Sequence, residues 1–148
     1  MTNQLAQINI SRSLASMDSP IMADFVALLG EINALAESSP GFVWRLKADN
    51  NNATDIQIFE DDLIIVNMSV WENVEALRDF AYKSAHTPVM RRRNEWFEKF
   101  PTAYLALWWI PTGHVPSTDE AKERLRSLDQ NGDTAFAFTF RNLFPAPQ

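Results

Sequence analysis

The segment from Ser69 to Phe97, SVWENVEALRDFAYKSAHTPVMRRRNEWF, closes a strand, opens a helix at about Asn73 and starts another at Thr87 and Pro88. Val74, Leu77, Phe80, Ala81 and Ser84 recur at helical spacing, and Pro88 suits a first turn, where its missing N–H is not needed. The second helix is expected to reach Phe100, with His86 at the join. Immediately upstream, Leu63 to Trp71 alternates with period two. Ile64, Val66, Met68 and Val70 share one face, and Leu63, Ile65, Asn67, Ser69 and Trp71 the other. A strand this apolar on both faces is expected to be covered on both.

Working outward, Leu5 to Arg12 is a strand with Ala6, Ile8 and Ile10 on one side and Gln7 and Asn9 on the other. Asp18 or Ser19 with Pro20 begins a helix carrying Met22, Phe25, Leu28, Leu29, Ile32 and Leu35, which Ser38 to Gly41 stops. Phe42, Trp44 and Leu46 then alternate with Val43, Arg45 and Lys47 in a second strand. The Asn- and Asp-rich run from Ala48 to Asp62 favours turns, with Ile56, Ile58 and Phe59 as interruptions. Downstream, Tyr104 to Ile110 is a strand, and Ser117 with Glu120 forms a reciprocal capping pair for a helix ending at Asn131 and Gly132. Phe136, Phe138 and Phe140 alternate with Ala135, Ala137 and Thr139 in a last strand. Residues 1–141 are read as a single domain and 142–148 as a loose tail.

The order β, α, β, β, α, α, β, α, β contains a split βαβ pattern. It predicts an α+β, ferredoxin-like antiparallel sheet with helices on one face. The open face then needs a cover.

Composition narrows the function. The 148 residues are 46% apolar and 22% charged, with a net charge of -6 and no cysteine. The charge opposes nucleic-acid phosphates, and no apolar run reaches the roughly 18 residues a membrane span needs. No leader is evident at MTNQLAQINISRS, so a cytoplasmic location is expected. Thiolate chemistry is excluded. The glycines, at 30, 41, 113 and 132, are scattered and form no phosphate loop or dinucleotide fingerprint.

Among candidate site residues, Arg78, Tyr82 and His86 stand at i, i+4 and i+8 and converge on one helix face. His86 is a candidate base, although a histidine at a helix end is as readily a cap. Asn67 and Ser69, beside Trp71, are polar exceptions on an apolar strand and need partners, of which a ligand is one kind. Trp108 and Trp109 point to opposite sides of their strand, so at most one lines a pocket. We take Trp108 for that role, with Phe80. His114 reads as a surface residue. Within the Arg91, Arg92 and Arg93 triplet, pairing of Arg91 with Glu95 and stacking of Arg92 on Trp96 account for two cations without a ligand. No spacing suggests zinc or non-haem iron.

Three stretches carry a family resemblance: DSPIMADFVALLGEINALAESSPGFVWRL, SVWENVEALRDFAYKSAHTPVMRRRNEWF and YLALWWIPTGHVPSTDEAKERL. Through them the chain resembles an uncharacterised bacterial family of the dimeric α+β barrel superfamily, which also holds the antibiotic-biosynthesis and haem-degrading monooxygenases. The resemblance implies a homodimer with two sheets face to face and a pocket between each sheet and its helices. From the haem-degrading relatives it implies His86 as an axial ligand and Asn9 as the strand asparagine; Phe80 stands where those relatives have a helix tryptophan. Three functions follow as expectations. The first is a cofactor-independent oxygenase acting on a small apolar or aromatic molecule, with His86 as base and Tyr82 or Asn9 orienting. The second is a haem-binding protein using His86, and the third a non-enzymatic dimeric binding module.

Overall fold

The computed structural model describes residues 3–47, 59–83, 91–99 and 102–147. Its centre is β1 (Asn3–Ser13), which pairs antiparallel with β3 (Ile64–Trp71) from Leu5 opposite Trp71 to Arg12 opposite Ile64. β2 (Phe42–Arg45) lies on the outer side of β3. The other side of β1 is shared by β4 (Phe97–Glu98) and β5 (Leu105–Pro111), which completes a five-stranded antiparallel sheet. The α+β class and this antiparallel sheet are as the sequence predicts.

Helices cover both faces, not one. A 3-10 turn, Pro20–Met22, leads into α1 (Ala23–Ser38), and α2 (Val74–Lys83) starts where Asn73 accepts the Ala76 N–H at 2.9 Å. Both helices contribute to a cluster with Leu5, Trp71 and Leu107 on one face. On the other face Ile8, Met68 and Trp108 pack with Ala121, Leu125 and Leu128 of α4 (Thr118–Asn131). This second face is the one the sequence reading leaves open for another copy of the chain. Its large side chains are buried within the single chain, so apolar exposure gives no reason for a face-to-face pairing; such a pairing would require α4 to move away.

Several local expectations are corrected. The helix predicted to reach Phe100 stops at α3 (Arg93–Trp96), and the extended Phe97 pairs with Ser13. Ring contacts of Phe25 with Trp96 and Phe97, at 5.5 and 5.0 Å, show the packing that outweighs helical propensity there. The capping at Ser117 is one-sided: Ser117 accepts the Glu120 N–H, but the Glu120 carboxylate turns to Trp108 Nε1 at 2.9 Å and His114 Nε2 at 2.8 Å. Glu120 is held below the usual carboxylate range; partial burial opposes this, and the His114 and Trp108 hydrogen bonds outweigh it.

The expected last strand is a single bridge, Phe138 exchanging both backbone hydrogen bonds with Leu107. Asp133 draws the chain out of strand geometry: one carboxylate oxygen accepts from Thr139 N and Oγ1, both at 2.8 Å, and the other from Asn142 Nδ2 at 2.9 Å. Phe136 is turned outward, its ring 3.7 Å from the Arg124 guanidinium carbon. The tail, expected to be loose, is tied down, with Phe144 O accepting Trp109 Nε1 and Pro147 O accepting Asn3 Nδ2, each at 2.9 Å.

Two outcomes follow. Leu125→Ala, which strips a core side chain from α4, is expected to cost about 2–5 kcal/mol, measured as a lower urea midpoint at unchanged slope. The Asn142 and Thr139 hydrogen bonds hold the Asp133 carboxyl below its ordinary value. Its contribution is therefore present at neutral pH and fades as pH falls through and below about 4. In hydrogen exchange, Asp133→Ala should deprotect the Phe138 and Leu107 amides at pH 7, and this difference from wild type should shrink toward pH 3.

Candidate functional site: an amide-floored cavity

Strand register places the polar residues. Direct antiparallel partners share a face, so Arg45, Ser69 and Gln7 form one row across β2, β3 and β1. Asn67 and Asn9 form the next row, and Phe42, Trp71 and Leu5 flank the first row on its other side. Helix side chains meet this face at its edges, Phe80 on Trp71 and Glu37 on Arg45, and leave its amide centre open. A cavity of about 290 Å³ lies between that centre and the two helices, at the small end of the roughly 300–1,000 Å³ usual for ligand pockets.

The floor is a continuous hydrogen-bond network. Gln7, only 3% exposed, donates through Nε2 to Asn67 Oδ1 and Ser69 Oγ, both at 2.7 Å. Its Oε1 accepts Asn9 Nδ2 at 3.1 Å, and Trp71 Nε1 donates to Ser69 Oγ at 2.8 Å. Such a network fixes each group by its neighbours and presents a preset pattern of donors and acceptors. The Trp71 ring is held by stacking on Phe80 at 5.2 Å and by Phe42 edge-on at 5.5 Å. Phe25, Leu28, Leu29 and Ile32 of α1 supply an apolar roof, with Asn33 beside them.

Of the residues singled out from sequence, Asn9, Asn67, Ser69, Trp71, Phe80 and Tyr82 line this cavity. Arg78 does not. Its guanidinium lies 5.8 Å from the centre of the Phe140 ring, which Tyr82 meets edge-on at 5.7 Å, so this pair converges on Phe140. Trp108 is corrected outright: β-strand alternation sends its fully buried indole to the opposite face, under α4, where Glu120 holds it. His86 and the Ile56 and Ile58 positions lie outside the described residues. His114 is half exposed and paired with Glu120, as a surface histidine. Arg92 stacks on Trp96 at 4.7 Å as expected, but it is Arg92, not Arg91, that pairs with Glu95, and also with Asp24, each at 2.9 Å.

Sequence reading missed Gln7 and Arg45 as site residues. Gln7 had a visible signal, being two residues from Asn9 on the same strand face. Arg45 was hidden by a register shift between Phe42 and Trp44, which sends those two aromatics to opposite faces and turns Arg45 toward the cavity. There it is 7% exposed, with Glu37 Oε2 3.3 Å from Nε.

Among the described lining residues the titratable groups are Arg45, Arg93, Tyr82 and Tyr104; no carboxylate, lysine or histidine is among them. No cluster of three metal-ligating side chains occurs among the described residues. For haem, the described lining is a poor fit, since the only iron donors it offers are two phenols and the cavity suits a smaller molecule. No helix among the described residues is long and apolar enough to cross a membrane.

The chain is similar to three solved structures, each at low identity. A protein of unknown function from Nitrosomonas europaea, NE2512, is 9% identical with a TM-score of 0.48, over 78% of this chain and 95% of that one. SnoaB from Streptomyces nogalater, a cofactor-independent oxygenase solved as a point mutant, is 14% identical with a TM-score of 0.47, over 76% and 95%. PA3566 from Pseudomonas aeruginosa is 15% identical with a TM-score of 0.45, over 78% and 98%. No curated protein matches the chain. Residues 4–148 match the profile described as a domain of unknown function, DUF3291, and the chain belongs to that family.

Proposed function

We propose that this protein binds a small apolar or aromatic molecule between its sheet and α1, and acts on it as a cofactor-independent oxygenase. The observation that carries the binding reading is the cavity itself, with apolar walls above a floor of fixed amides and one hydroxyl. This is the composition of a small-molecule site, where apolar area supplies affinity and a few polar groups set orientation.

The oxygenase reading adds chemistry suited to such walls. Deprotonating an electron-rich phenol makes a carbanion-like donor able to reduce dioxygen, and an apolar enclosure keeps water from competing. Asn9 and Tyr82 are suited to orient the phenol oxygen. His86 is proposed as the base, on the strength of its position after the Arg78 and Tyr82 helix and of the family resemblance. Dimer formation belongs to the same reading and rests on that resemblance.

The experiment is oxygen uptake with 1,5-dihydroxynaphthalene as probe, paired with calorimetric binding of the same compound. Wild-type protein should bind it and accelerate uptake, and His86→Ala should keep binding while losing about 10²–10⁴-fold in rate. An unchanged rate in the variant rejects His86 as the base. Binding without any acceleration would reject the oxygenase and leave a binding module.

A further inference from the structure

We propose that the ligand presents an anionic oxygen, a carboxylate or phenolate, to a subsite formed by Ser69, Asn67 and Arg45. This rests on the cavity being a binding site, as argued above, and adds the charge and polarity of the occupant.

Ser69 Oγ accepts from two directions, from Gln7 Nε2 on the neighbouring strand and from Trp71 Nε1 along its own. Both lone pairs are used, so the hydroxyl hydrogen occupies the remaining direction. On that side the cross-strand neighbour is Arg45, which has donors only. No acceptor for this hydrogen is found among the described residues, and Ser69 lies in the cavity wall. Asn67 repeats the pattern: its Oδ1 accepts from Gln7 and Asn9, at 2.7 and 3.4 Å, while its Nδ2 hydrogens find no acceptor among the described residues. The corner is therefore donor-rich on its open side: the Ser69 hydroxyl is buried, where a donor without an acceptor is costly, and the exposed Asn67 amide turns its N–H groups to whatever enters.

The protein carries a net charge of -6, yet the charged residues among the described cavity lining are two arginines. Arg45 sits beside Ser69 and shares its charge with Glu37 at the rim. Arg93, at the β5 side, lies 5.7 Å from the centre of the Tyr104 ring and has no carboxylate partner among the described residues. A pocket whose charged lining is two arginines, one of them paired with Glu37, favours an anion over a cation. Donors and cations together specify an acceptor-only, negatively charged group, and the small volume restricts its body to one or two rings.

Three probes of the same ring system separate the possibilities by calorimetry: 1-naphthoate, 1-naphthamide and 1-naphthylmethylamine. Wild-type protein should bind naphthoate at least about tenfold tighter than the amide, since hydrogen bonds to an ionised acceptor are the stronger kind, and bind the amine most weakly. Ser69→Ala should cost naphthoate about tenfold. Because that change also strips an acceptor from Gln7 and Trp71, Asn67→Asp, at the exposed mouth, is the second variant; it should weaken naphthoate and strengthen the amine, with unfolding midpoint unchanged. Tighter binding of the amide or amine by wild type would show that the amide network runs in the opposite sense, and would overturn this inference while leaving the binding reading intact. An unaltered order in Asn67→Asp would also overturn it. No binding of any of the three would overturn both.

Discussion

Everything in this structure depends on how β1 pairs with β3. With Gln7 opposite Ser69 and Asn9 opposite Asn67, four polar side chains fall on one face and Ala6, Ile8, Met68 and Val70 on the other. Sliding either strand by one residue would exchange the faces, putting amides under α4 and isoleucines into the cavity. The hydrophobic free energy of burying the second face is then what fixes the polar first face in place. Burial of one side supplies the geometry of the other.

That division also explains the packing of the helices. α4 meets a flat apolar surface and buries Ala121, Leu125 and Leu128 against it. α1 and α2 meet a surface with a polar centre, which apolar side chains cannot cover without stranding amides that need partners. α2 packs at the aromatic end of that face, where Phe80 stacks on Trp71. Over the amides a gap is left. The cavity is a consequence of a mixed face, and the C-terminal segment closes one side of it through Phe140.

Much of this was legible in the sequence, and the exceptions have physical causes. Period-two alternation locates β1, β3 and β5 and assigns the faces of β1 and β3, because a one-sided core writes itself directly into residue order, whereas β5 is apolar on both faces and does not say which side Trp108 takes. Alternation does not reveal the register shift at Val43, since one extra residue leaves no trace in composition, and Arg45 is therefore not legible as a site residue. Nor could it say that α4 covers the second face. A helix with an apolar stripe shows that it packs, not upon what, and an intramolecular roof and a second copy look identical from sequence. The Phe136 to Phe140 alternation misled for another reason: a single carboxylate at Asp133, collecting three hydrogen bonds, overrode it.

The roof helix has an unusual energetic position. Of its sixteen residues only Ala36 is buried, although Phe25, Leu28, Leu29 and Ile32 all turn inward. Those side chains border a void, so they gain little dispersion energy from it. An occupant that filled the gap would supply the missing contacts and lower the free energy of the docked helix. By linkage, saturation with ligand and tightening of α1 are one equilibrium seen from two ends. Affinity in this protein is then set as much by how readily a helix settles as by the groups that touch the guest.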